Sequence, residues 1–174
     1  MPFLIGAGNL SDEEMSPGSM ILSELWAEPL VKFSCEQSPV SVFNSLKETS
    51  GLFQLNGDPA SSNRETGSWL EALGSWRKPT ILFVSPRLSG EIPGAAAAYV
   101  ALAKSFSVPL IGIVQLEGVW DSEERILDGL PWCGRLSREN DLTWINGNNS
   151  KPRINMDNFY VSENLKTRMR HIDI

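Results

Sequence analysis

The sequence predicts an α/β fold in which a parallel sheet lies between helices on both faces, and three observations carry that expectation. Two apolar runs rich in β-formers, Thr80–Val84 and residues 108–115, lack in-out alternation and so read as strands buried on both faces. Between them, residues 95–106 form an Ala/Leu-rich segment with a polar face at Lys104 and Ser105, so the order is strand, loop, helix, strand. That order is a right-handed crossover unit. A chain of 174 residues is also long enough to bury one core without staples.

The remaining elements follow in chain order. Residues 3–8 read as a first strand feeding a turn at Gly6-Ala7-Gly8. Ser11 then offers an N-cap with Asp12, Glu13 and Glu14 in the first helical turn. Pro17-Gly18 is expected to stop that helix early. Met20 to Trp26 is a short apolar stretch ended by Pro29, and residues 31–35 are extended. Ser38-Pro39 opens a helix toward residue 48, with Val40, Phe43 and Leu46 as its buried stripe. Residues 52–55 form a short strand, Asn56-Gly57-Asp58-Pro59 a turn, and residues 60–68 a mobile polar loop. A short helix over residues 69–76 precedes the central unit. After it come a loop at 116–121, a capped turn at 122–127 and a last strand at 130–136. Residues 146–150 have no apolar period, whereas Val161, Leu165 and Met169 repeat every four residues as a surface helix capped by Ser162. The expected division is an α/β domain over residues 1–140 and a polar tail over 141–174 containing that helix.

Composition narrows the function. Lys and Arg number 15 against 21 Asp and Glu, a net charge of −6, which argues against nucleic acid as a partner because such binding needs a cationic footprint. Cys35 and Cys133 are far apart, with no CxxC and no adjacent histidine, and read as reduced thiols. The N-terminal apolar run is too short for a signal peptide or a membrane span, so a cytoplasmic location is expected. His171 is the single histidine, which leaves no His-based triad and no multi-histidine metal site. In a nucleotide-binding unit the glycine turn would cradle phosphates and be followed by a lysine. Here Gly6-Ala7-Gly8-Asn9-Leu10-Ser11 runs into three acids, which repel a polyphosphate.

The run from Leu73 through Lys78-Pro79-Thr80-Ile81-Leu82-Phe83-Val84, with Leu88-Ser89-Gly90-Glu91-Ile92, Val100-Ala101-Leu102-Ala103-Lys104 and Leu110-Ile111-Gly112-Ile113-Val114, resembles the second half of ATP-dependent dethiobiotin synthetases. Glu28-Pro29-Leu30 and the helix after Pro39 also match in position. The likeness covers residues 20–140 and is firm over 73–114. It implies a truncated P-loop NTPase-like fold, a homodimer, and closure of a ureido ring on diaminopelargonate with carbon dioxide, using ATP and Mg²⁺. The departures fall on the chemistry. The family's phosphate loop ends in Gly-Lys-Thr, where this chain has Asp12 and Glu13. Its Glu-Gly-Ala-Gly-Gly segment falls at Leu55 to Pro59, with the acid displaced to Asp58. Its base-recognising Asn falls near Leu116, which cannot make those hydrogen bonds. The loop Leu88 to Ile92, which in the family lies near the dimer interface and substrate, survives in part.

The leading expectation is therefore a catalytically degenerate relative, a pseudoenzyme that binds a partner or ligand with no cofactor and no catalytic residue. Gly6, Gly8, Asp58, Gly90, Glu91 and Ile92 are its candidate binding residues. Six tryptophans supply possible interface anchors. The alternative is an ATP-dependent carbon–nitrogen ligase using Asp58, or needing a second chain to supply its P-loop. A third possibility is a regulatory subunit whose tail from Asp141 orders against a larger assembly.

Overall fold

The computed structural model describes residues 1–46, 49–63, 67–138 and 155–172. Its frame is a sheet of six parallel strands: β1 (Phe3–Gly6), β2 (Leu30–Ser34), β3 (Leu52–Asn56), β6 (Thr80–Val84), β7 (Leu110–Leu116) and β8 (Trp132–Leu136). Between β3 and β6 lies a two-residue-a-side antiparallel ribbon, β4 (Ser62–Asn63) and β5 (Gly67–Ser68). The spatial order is β2-β3-β1-β6-β7-β8. Strands β1, β3, β6 and most of β7 are buried on both faces, as the unbroken apolar runs predict.

Side chains alternate across the sheet and build two cores. On one face Phe3, Ile5, Leu55, Leu82, Val84 and Ile113 pack under helices α2 (Pro39–Ser45), α3 (Trp69–Ser75) and α4 (Ala95–Ser105). On the other, Leu4, Ile81, Phe83, Val114 and Leu116 pack under α1 (Asp12–Trp26) and α6 (Met156–Arg170). A short α5 (Ser122–Leu127) links β7 to β8. Two glycines permit close approach: a Cβ on Gly74 of α3 would stand 1.9 Å from the Phe106 carbonyl oxygen, and one on Gly112 of β7 would stand 2.4 Å from the Cys133 sulfur.

Several local expectations are corrected. Helix α1 does not stop at Pro17; it runs on to Trp26, because Gly18, Ser19 and Leu22 are buried against the sheet. Pro17 withholds its N–H from the carbonyl of Glu13, but Glu13 is exposed and that carbonyl is open to water. In α2 Phe43 is buried and Leu46 packs against the core as expected, but Val40 is 53% exposed and Val42 is buried in its place. The stretch at 60–68 includes β4 and β5. Helix α6 begins six residues before Ser162 and is capped by the Asn155 side chain; Ser162 is buried and accepts a hydrogen bond from Trp26 Nε1 at 2.8 Å. Val161 and Leu165 join the core on β7 and β8. The expected boundary at residue 140 and the stretch 146–150 lie outside the described residues.

Candidate functional site at the carboxyl ends of the strands

The chain leaves β1 through α1 on one face toward β2, and leaves β6 through α4 on the other face toward β7, in the opposite direction along the sheet. The direction of winding reverses between β1 and β6. A crevice forms outside the carboxyl ends of strands at such a reversal, and ligands of open α/β sheets bind there. Beside it, an open cleft of about 750 Å³ is lined by residues following β1, β2 and β3, among them Asn9, Ser34, Cys35, Asn56 and Asp58.

In the glycine turn after β1, a Cβ on Gly6 would meet the Leu10 side chain at 2.9 Å and the Met15 sulfur at 3.2 Å, so Leu10 packs against Gly6, whereas a Cβ on Gly8 would meet nothing within 4 Å. Ala7 N–H donates to the Phe83 carbonyl at 2.9 Å and prolongs the sheet. At the helix start, Ser11 N–H donates to Glu14 Oε2 at 2.8 Å and Glu14 N–H to Ser11 Oγ at 3.2 Å. This capping box consumes two of the amides that an anion would use.

Asp12 stands in the helix's first turn and is tied to a cation from another strand. Lys32 Nζ of β2 approaches its carboxylate oxygens at 2.8 and 3.0 Å and reaches Ser16 Oγ at 2.7 Å. The Lys32 hydrogen bond is the main reason that the Asp12 carboxyl is held below its ordinary range. Gln54, fully buried on β3, donates to Asp12 at 2.8 Å and to Asn56 at 2.6 Å. Its Oε1 is buried with no hydrogen-bond partner among the described residues.

A partly buried polar contact at the edge of the cleft joins Asp58 to Tyr99. The Tyr99 hydroxyl, from α4, donates to Asp58 Oδ1, which also accepts Ala60 N–H at 2.8 Å. The Gly8 and Ala60 amides lie within reach of the same hydroxyl. Burial first, then the Asp58 carboxylate, pushes the Tyr99 phenol well above its ordinary value. Burial likewise pushes the Cys35 thiol up to about 12, with Asp58 adding to the shift. Trp69 Nε1 donates to the Cys35 carbonyl at 3.1 Å and fixes that wall of the cleft.

Of the residues expected from the sequence, Gly8 and Asp58 meet through Tyr99, and Gly6 lies beneath Leu10. Gly90 and Glu91 line a different hollow between the β6–α4 and β7–α5 loops, which shares no lining residue with the cleft. Ile92 packs against the core under α4. Sequence reasoning missed Lys32, Gln54 and Tyr99. Tyr99 had a visible signal, a lone phenol directly after the alanine run at residues 95–98; Lys32 and Gln54 had none, since the Asp12 they share is 20 and 42 residues away along the chain. The described residues contain no group of three or more His, Cys, Asp or Glu arranged to hold a metal. No helix among them is long and apolar enough to cross a membrane. No protein-family model matches the chain, and neither does any curated protein.

Proposed function

We propose that this chain is a binding or assembly domain on a P-loop NTPase-like frame, similar to dethiobiotin synthetase but without its phosphoryl chemistry. The observation that carries the reading is the helix start behind the glycine turn, where a capping box takes the Ser11 and Glu14 amides that a phosphate would use. Asp12 reinforces it: a carboxylate held ionised by Lys32 stands where a P-loop has its lysine. Phosphoryl transfer depends on cations that neutralise developing charge, and one such donor contributes about 3–4 kcal/mol. In this reading the protein requires neither ATP nor Mg²⁺. It acts in the cytoplasm as a homodimer or within a larger assembly, and takes a small polar ligand, if any, in the cleft beside Asp58.

Titration calorimetry with ATP and Mg²⁺ tests the reading. No binding heat is expected, and micromolar affinity would overturn it. One observation favours the ligase alternative, namely a carboxylate at a strand end beside a cleft lined by Asn9, Ser34 and Asn56. Release of phosphate from ATP in the presence of diaminopelargonate and bicarbonate would establish that alternative; no release is expected.

A further inference from the structure

The most exposed apolar side chains of this protein fall on two neighbouring segments. Among the described residues, the four large hydrophobic side chains with the greatest exposure are Leu88 at 110%, Leu127 at 85%, Ile126 at 78% and Val119 at 74%. All four lie on the two successive segments that leave the carboxyl ends of β6 and β7. Leu88 and Val119 line a groove of about 740 Å³ between those segments, and Glu124 brings α5 to its edge. Single exposed hydrophobics are ordinary, whereas a cluster rimmed by polar groups marks a docking surface.

The outward placement of these residues is enforced from below. Helix α5 buries Arg125, at 6% exposure, and turns Ile126 and Leu127 to solvent, the reverse of normal helix patterning. Arg125 lies over Trp132 at 5.2 Å and Trp120 at 6.0 Å, and its Nε donates to Gln115 Oε1 at 3.4 Å. The Gln115 amide donates to the carbonyls of Glu117 and Val119, both at 2.9 Å, pinning the loop that presents Val119. Glu117 and Gly118 both have left-handed backbones, at φ 55° and 71°, which complete that loop. The local rule for a helix is thus broken at a position held by a buried cation–π and hydrogen-bond network, and such breaks accompany function.

Charge decides what covers the patch. The groove walls carry Glu91, Glu117, Asp121 and Glu124 against Arg87, which is paired with Glu91 at 3.1 Å, and the buried Arg125, which reaches Glu124 at 3.5 Å, so the walls keep a net negative charge. Two copies meeting through this face would set carboxylates against carboxylates, in a chain of net charge −6. An anionic lipid surface is disfavoured by the same repulsion. We propose that the groove between the β6–α4 and β7–α5 loops docks a cationic amphipathic segment of a partner protein, with apolar residues seated on Leu88 and Val119 and Lys or Arg facing the acidic walls. This deepens the binding role proposed above and rests on it; the ATP titration tests that role separately.

The test uses the full chain and a labelled synthetic peptide with Leu at positions i, i+3, i+4 and i+7 and Lys elsewhere, followed by fluorescence anisotropy. The expected result is binding that weakens with salt, falls at least about tenfold in the double variant Leu88→Ser, Val119→Ser, and persists in Met20→Ser and Tyr160→Ser, whose exposed side chains lie on α1 and α6. Glu91→Gln with Glu124→Gln, two exposed positions, should flatten the salt dependence without altering the fold. Equal binding of the same peptide with Glu in place of Lys would overturn the proposal. So would binding untouched by the Leu88 and Val119 changes, or a dimer that those changes dissolve. Circular dichroism of each variant confirms that a loss of binding is not a loss of folding.

Discussion

At the scale of single residues, the contact of Tyr99 with Asp58 does most to define the cleft, because it brings a buried phenol, a carboxylate and the amides of Gly8 and Ala60 to one place. Tyr99→Phe keeps the ring and removes the hydroxyl, leaving Asp58 with one fewer donor. A loss of about 1–2 kcal/mol in urea unfolding is expected. The pH dependence has a definite sign. The folded phenol's pKa lies above its unfolded value of about 10, so its contribution is full below pH 10 and is lost as pH rises toward the folded value. Stability of the natural chain should therefore decline above about pH 10, and Tyr99→Phe should show a shallower decline. An alkaline decline of equal slope in both proteins would rule out this role for the hydroxyl.

At the scale of elements, the helix starts differ in a way that capping chemistry explains. Ser68 makes both arms of a capping box with Glu71 at the head of α3, at 3.2 and 2.6 Å, whereas the Ser38 side chain makes no cap hydrogen bond at the head of α2. Ser68→Ala should cost about 1 kcal/mol and Ser38→Ala no more than about 0.5, both read from urea midpoints. The sequence pattern located the starts of α1 and α2 at Ser11 and Ser38-Pro39 and that of α3 from the shared face of Trp69, Leu73 and Trp76, all of them local signals. It misjudged the end of α1, where burial against the sheet outweighs the local preference of Pro17, and it placed Val40 inside α2 where Val42 is buried. The start of α6 was equally hidden, since Ser162 has the composition of a cap but is bonded to Trp26, 136 residues away in the chain.

At the scale of the whole molecule, two thiols report on how the sheet is closed. Burial pushes Cys133 up to about 11 and Cys35 up to about 12, so both are largely protonated at neutral pH. Cys133 is sealed between β8 and α6, while Cys35 sits on the cleft wall. A thiol reagent at pH 8 should label both at least about a hundredfold more slowly in the native protein than in urea, because the reactive thiolate falls tenfold for each unit by which burial raises the pKa. Fast labelling of Cys133 without denaturant would show that α6 does not hold down that edge of the sheet. The same closure explains how the candidate site is divided. The parallel order puts every strand's carboxyl end on one side, but the reversal between β1 and β6 separates Gly8 and Asp58 from Gly90 and Glu91.

The sequence by itself determined the α/β class, the strand runs at 80–84 and 108–115, the acidic character of the chain and the missing lysine after the glycines. Each is a property of neighbouring residues or of a sum over all of them. Only the tertiary structure decided that Leu10 packs against Gly6, that Lys32 pairs with Asp12, that Tyr99 closes on Asp58, and that Arg125 is buried so that Ile126 and Leu127 face water. Apart from Leu10, these outcomes bring together groups separated by 10 to 41 residues. Their energies depend on burial and distance, which no local pattern of residues encodes.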